Sequence, residues 1–197
     1  MANEEVNTGR RRFLTATTAV VGAVGAGFAA VPFIKSWSPS ARARFAGAPV
    51  NQDISALAEG AQLVINWRGQ PIFIARRSSA MLDVMKSLDN LLADPQSAAS
   101  DQPKYAQNPT RSIKPEILVA VGICPHLGCS PSDRFTPGPQ PSLPNDWEGG
   151  FLCPCHGSTF DMAGRVFKNK PSPDNLPVPP HMYLSDTKLL IGEDKKA

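Results

Sequence analysis

Apolar residues follow three rhythms along this 197-residue chain. From Phe13 to Ile34 no residue is charged, an uninterrupted run of 22 positions. At about 1.5 Å per residue, a helix of that length crosses a hydrocarbon core of roughly 30 Å. Gly22, Ala26 and Ala30 recur every fourth position and allow close approach to a neighbouring membrane helix. Lys35 and Trp37 supply an interfacial anchor. The pattern predicts a tail over 1–12, a single transmembrane helix over 13–35 and a second, water-soluble region from 51 onward. Between them "SPSARARFAGAPV" (38–50) has small residues and proline but no apolar period. Residues 36–50 therefore read as a flexible hinge, or equally on composition as an ordered connector.

From 51 the rhythm becomes that of strands. "QLVINWRGQPIFIARR" is two β-rich runs flanking Arg68-Gly69-Gln70-Pro71, a hairpin signal. Met81, Val84, Met85, Leu88, Leu91 and Leu92 then recur at helical spacing, with Ser79 as the expected N-cap and Asp94-Pro95 as the stop. Gln96 to Pro109 reads as a loop. "EILVAVGIC" and "GGFLC" are continuous apolar strands, each running straight into a cysteine. Between them Ser130 to Gly149 is a proline-rich excursion. Short strands follow near Arg165–Phe167, Met182–Leu184 and Lys188–Ile191. Short strands separated by Pro/Gly turns predict a mainly β domain over 51–197, an antiparallel β-sandwich with one helical insertion. No internal repeat is apparent.

Composition refines this picture. Twenty prolines and fifteen glycines favour long ordered loops over a helical bundle. The net charge of +3 is dispersed, with no basic patch interleaved with aromatics, so nucleic acid is not an expected partner. Basic residues flank both ends of the apolar run almost equally, leaving orientation open on charge alone. Arg10 and Arg11, within "RRRFL", resemble a twin-arginine export signal. That resemblance implies a cytoplasmic tail, a domain on the far side of the membrane, and export after folding. Ala-X-Ala patterns suit a cleaved signal, but the apolar run exceeds a usual signal core, so an uncleaved anchor is expected.

The four cysteines and two of the three histidines occupy two short runs, "CPHLGC" (124–129) and "CPCHGSTFD" (153–161). Each follows a strand, so its side chains project from a fixed base. Cys124, His126, Cys153 and His156 make a set of two thiolates and two imidazoles. Structural zinc accepts such a set but leaves Cys129 and Cys155 unexplained. Two plain disulfides suit an exported protein and leave both histidines idle. A [2Fe–2S] cluster with two cysteines on one iron and two histidines on the other uses all four ligands. "CPCH" is not the C-x-x-C-H of covalent haem attachment. His181 lies outside both runs, and a lone histidine is by default a packing or surface residue.

Together the two runs, the twin-arginine anchor and "GRVFKNKPSPDNLPVPP" resemble the bacterial Rieske iron–sulfur subunits of ubiquinol–cytochrome c reductase, over essentially the whole chain. The resemblance implies one [2Fe–2S] cluster, with Cys124 and Cys153 on one iron and His126 and His156 on the other. It implies a Cys129–Cys155 disulfide and cluster-binding loops within 122–175. Rieske ferredoxins and ring-hydroxylating oxygenases usually lack that cysteine pair. Ser158 matches a family serine that donates a hydrogen bond to a cluster sulfur and stabilises the reduced state. Pro171 and Pro173 match a proline-rich loop that shields the cluster.

The implied function is transfer of one electron, coupled to a proton, from ubiquinol to a membrane cytochrome c subunit, contributing to proton translocation. His126 and His156 would face the quinol, with Leu127 entering its apolar pocket. The implied partners are cytochrome b, the cytochrome c subunit and the membrane, in a dimeric complex. The implied location is the bacterial inner membrane, with the soluble domain periplasmic. A Rieske carrier of another membrane oxidase, or a structural zinc domain, are the alternatives. Two positions depart from the family: Pro125 stands where many members have Thr, and Phe160 where many have Tyr. Loss of the Tyr hydroxyl implies a lower reduction potential here.

Overall fold

A computed structural model describes residues 7–41, 43 and 47–194. The chain divides into two compact units, 1–45 and 46–197. In the first, α1 (Thr8–Ser36) is one continuous helix, capped where Asn7 Oδ1 accepts the Arg10 N–H at 3.0 Å. It therefore starts within the expected tail, and Arg10 and Arg11 occupy its first turns. Every side chain of α1 is solvent-exposed within its unit, as suits a helix whose apolar surface faces lipid. Of the expected hinge, Arg42, Arg44, Phe45 and Ala46 lie outside the described residues.

The second unit contains β1 (Val50–Asp53), β2 (Gln62–Trp67), β3 (Gln70–Arg76), α2 (Ser79–Ser87), β4 (Ile117–Val121), β5 (Ser132–Arg134), β6 (Gly150–Leu152), β7 (Thr159–Phe160), β8 (His181–Ser185) and β9 (Lys188–Ile191). These strands form three antiparallel sheets of three strands, ordered β1-β9-β8, β2-β3-β4 and β5-β6-β7. In the sheet β2-β3-β4, Ile72–Ala75 of β3 and all of β4 are buried on both faces, while β2 exposes Val64 and Asn66. Ile72, Ile74, Ile117, Val119 and Val121 pack with Leu189 and Ile191 on one side. Phe73, Ala75, Leu118 and Ala120 pack with Phe151, Phe160 and two cysteines on the other. Period-2 side-chain alternation between two apolar cores explains why β4 reads as unbroken hydrophobe.

Several boundaries differ from the sequence expectation. The β2–β3 turn is only Arg68-Gly69, both at positive φ (53° and 76°), so Gln70 and Pro71 belong to β3. The N-cap of α2 is Ser78, whose hydroxyl accepts the Met81 N–H at 3.3 Å. The helix ends at Ser87, and Leu91 lies in a following 3₁₀ turn (Asp89–Leu91). A further 3₁₀ turn, Lys104–Ala106, interrupts the expected loop. The proline-rich excursion is not all loop: β5 pairs with β6, and Trp147 Nε1 donates to the Arg134 carbonyl at 2.8 Å. Residues 165–167 form no strand. Val166 and Phe167 make single bridges to Phe160 and Leu92.

Candidate metal centre

Pairing in the sheet β5-β6-β7 places both Cys/His loops at one end. The first loop leads into Ser132, which pairs with Leu152; the second leaves Leu152 and returns at Thr159, also paired with Leu152. The two loops then fold alike. Cys124 N–H donates to the Cys129 carbonyl at 2.8 Å, and Gly128 N–H to the Cys124 carbonyl at 3.0 Å. In the second loop Cys153 N–H donates to the Ser158 carbonyl at 2.8 Å, and Gly157 N–H to the Cys153 carbonyl at 3.0 Å. Gly128 (φ 83°) and Gly157 (φ 76°) occupy the same left-handed position, where a Cβ is unfavourable. "CPHLGC" and "CPCHGS" are thus a local repeat with Pro second and Gly fifth. This corrects the expectation of no repeat and adds both glycines to the site.

The side chains fall into three groups. Cys124 and Cys153 are buried and free, in one core with Phe160 and Leu176. Their side chains interact, and burial pushes the Cys124 thiol up from its ordinary value; a hydrogen bond from the His126 N–H opposes this, Cys153 adds to it, and Ser158 opposes it again. The His126 and His156 rings meet edge to face with centroids 4.8 Å apart. Cys129 and Cys155 form a disulfide that ties loop to loop. Sulfurs of Cys129, Cys153 and Cys155 lie within 4.8 Å of one another, but two are spent in that bond, so they are no ligand triad. Two adjacent buried thiols gain a cation or stay protonated; together with the paired imidazoles they form a donor set that fits a [2Fe–2S] group.

Surrounding residues hold this arrangement. Ser158 is fully buried, and its Oγ accepts the Ser172 N–H at 2.9 Å, leaving its own proton for the Cys124 side. That bond fastens the segment Pro171–Pro173, whose two prolines are exposed, to the second loop. Leu127 is 71% exposed at the tip of the first loop. Phe160 is completely buried, in the same core as Cys124 and Cys153. Arg10 and Arg11 belong to the other unit. His181 is no neighbour of the pair: it is buried in β8, edge to face with Tyr105, its Nδ1 2.8 Å from the Pro179 carbonyl.

Sequence reasoning missed what lies behind Phe160. The turn Asp161–Arg165 is closed by a buried ion pair, with Arg165 Nη2 2.8 Å from Asp161 Oδ2. Arg77 and Arg111 converge on the carbonyls of the same turn. No local signal marks them, because their partners in that turn lie 52 to 85 residues away in sequence.

Comparison with known proteins agrees with this geometry. Residues 1–40 match the family model for the ubiquinol–cytochrome c reductase Fe–S subunit twin-arginine (TAT) signal, and residues 94–180 match the Rieske [2Fe-2S] domain model. The ubiquinol-cytochrome c reductase iron-sulfur subunit of Allochromatium vinosum is 60% identical over 195 residues, covering 99% of this chain and 94% of that one. The corresponding subunits of Blastochloris viridis and Bradyrhizobium diazoefficiens are 43% and 40% identical, each over 93% of this chain and 92% and 94% of theirs. An export signal that contains one long apolar helix fits a membrane-anchored subunit. The chain belongs to the bacterial Rieske iron–sulfur subunits of ubiquinol–cytochrome c reductase, electron-transfer proteins with one [2Fe–2S] cluster each.

Proposed function

We propose that Cys124 and Cys153 hold one iron and His126 and His156 the other, and that the chain takes single electrons from ubiquinol for a membrane cytochrome c subunit. One observation supports this most: two matched loops present two buried free thiols and two facing imidazoles, while the remaining cysteines are joined to each other. When bound, the cluster supplies one-electron redox chemistry at a potential raised by neutral histidine ligands. Each ring has a second nitrogen not needed by iron, and at that atom His126 or His156 accepts the quinol proton. His156 is exposed and His126 half-exposed, so both are open to a substrate from outside. Leu127, with 71% of its surface open, gives that face an apolar tip for a quinone pocket. Ser158 and the Pro171–Pro173 segment keep water from the buried sulfurs.

The same reading places the soluble domain on the periplasmic side of the bacterial inner membrane, beside cytochrome b in a dimeric complex. Residues 36–50 act as the hinge between quinol and cytochrome. Electron paramagnetic resonance of reduced membranes, with each of the four ligands changed in turn to Ser or Gln, tests the ligand set; the Rieske signal disappears in all four. Retention of the signal in any one refutes that ligand. A midpoint potential independent of pH between neutral and alkaline solution refutes the proton-accepting role. Co-purification without cytochromes b and c turns the assignment toward a different oxidase.

A further inference from the structure

Three of the largest fully buried side chains in this protein are arginines: Arg77, Arg111 and Arg165. All three address the turn that follows the second cluster loop. Arg165 is paired: its Nε and Nη2 reach Asp161 Oδ2 at 2.8 Å, and its Nη1 reaches Asp89 Oδ1 at 2.8 Å. The other two have no carboxylate in hydrogen-bonding contact among the described residues. Arg111 Nη1 donates to the Leu176 carbonyl at 2.6 Å and more weakly to those of Ala163 and Gly164, while its Nη2 donates to Gln102 Oε1 at 3.0 Å. Arg77 donates to the carbonyls of Thr110 and Met162, at 2.9 and 3.1 Å, and to Ser112 Oγ at 2.7 Å. One fully buried carboxylate, Asp161, thus faces three buried cations. Asp89, with 40% of its side chain exposed, is screened by water, as are Glu116 near Arg77 and Asp94 and Asp101 near Arg111, none of them buried.

Burial lowers both unpaired guanidinium groups to about 10, with Asp161 opposing, so each remains charged at neutral pH. A merely structural role for them is poorly matched to this chemistry. Neutral amides also donate to carbonyls, and burying a cation with no carboxylate in contact opposes folding. Their position supplies another role. Leu176, whose carbonyl Arg111 holds, and Phe160, which leads into the turn, belong to the same apolar core as Cys124 and Cys153. Charge and ligands are therefore joined through low-dielectric protein, where an electrostatic field is little screened by salt.

We propose that Arg77, Arg111 and Arg165 form a buried, net-positive site that raises the reduction potential of the [2Fe–2S] centre. Adding an electron to the cluster adds negative charge, and the excess cation stabilises that state. The inference rests on the ligand assignment above. These arginines are tuning residues: they touch neither cluster nor quinol.

The decisive experiment separates charge from stability. Gln102→Glu sets a carboxylate against Arg111 and lowers the net positive charge, at the cost of the bond that Gln102 Nε2 donates to the Ser97 carbonyl at 2.6 Å; Gln102→Leu, which loses that bond without adding charge, is the control and should leave the midpoint in place. Asp161→Asn removes the one fully buried carboxylate and so weakens the turn while raising the net charge. Redox titrations of the intact complex in membranes, monitored by electron paramagnetic resonance, give the midpoint of each. Gln102→Glu is expected to shift the midpoint down and Asp161→Asn to shift it up, both persisting from low to high salt. An unmoved midpoint in Gln102→Glu overturns the proposal, as do shifts of the same sign in both. If Asp161→Asn fails to assemble, Gln102→Glu alone decides. Absence of a Rieske signal from the wild-type complex would instead refute the ligand assignment.

Discussion

Gly150 is the position at which the second cluster loop is most exposed to a single methyl group. It opens β6, pairs with Arg134 of β5, and has φ 145°. A Cβ there collides with the Phe160 carbonyl oxygen and sits 2.9 Å from the Cα and 3.0 Å from the carbonyl carbon of Asp161. All three are backbone atoms of β7 and its turn, so no rotamer change relieves the contact. Gly150→Ala must open the β6–β7 pair, and Cys153 follows β6 directly. An alanine in that sparsely allowed region costs roughly 1–3 kcal/mol. Forced displacement of packed backbone adds about 1–3 kcal/mol. Against a domain stability on the order of 5–15 kcal/mol, the total is a large fraction. At roughly 2–4 °C per kcal/mol, the midpoint should fall by about 10 °C. The assay follows cluster absorbance of the purified complex on heating at a fixed scan rate, since membrane complexes unfold irreversibly. Gly138→Ala is the control, because Gly138 also has positive φ (97°) but nothing within 4 Å of its Cβ. Gly138→Ala should show the conformational penalty alone. If the two variants melt together, the claim that close backbone packing under Phe160 positions the second loop is wrong.

Three further outcomes are expected. Phe160→Tyr places a hydroxyl in the core shared with Cys124 and Cys153, the proposed thiolate ligands; a bond of about 1 kcal/mol donated to a sulfur raises the midpoint by roughly 40 mV. An unmoved midpoint with the cluster retained would mean that the ring only packs. Replacing both Cys129 and Cys155 by Ser frees a crosslink spanning 26 residues, which loop-closure entropy values at about 3.5 kcal/mol; a thermal midpoint of the intact complex within a degree of wild type contradicts it. Burial, opposed by the Pro179 carbonyl, depresses the His181 pKa from its ordinary 6.5, so the unfolded chain binds the extra proton. Stability from His181 is therefore complete above pH 6.5 and is lost as pH falls through the lowered folded value. His181→Gln should flatten the pH dependence of stability there, and an unchanged slope in urea unfolding would refute this.

The strands β3 and β4 were legible because each serves two cores, and burial on both faces leaves only apolar residues in the sequence. The ends of α2 were not, since Ser78 and Ser79 are equal candidates until one hydroxyl is seen to cap Met81. The four proposed ligands were legible through scarcity, being concentrated in two runs of a chain with four cysteines and three histidines. The buried arginines were illegible for the opposite reason: a guanidinium held by distant carbonyls looks like any surface arginine. What hid the loop repeat is more instructive. The two loops share a backbone, set by Pro second and Gly fifth, but not a placement of chemistry. Histidine is third in one and fourth in the other; the disulfide cysteine is sixth in one and third in the other. A search for ligand spacing therefore finds two unlike motifs, whereas the hydrogen bonds find one turn used twice. The backbone repeat supplies two equal, rigid bases; the offset side chains let those bases differ. One face then offers two imidazoles to the outside while two thiols remain in the core, an inequality that two identical loops would not provide.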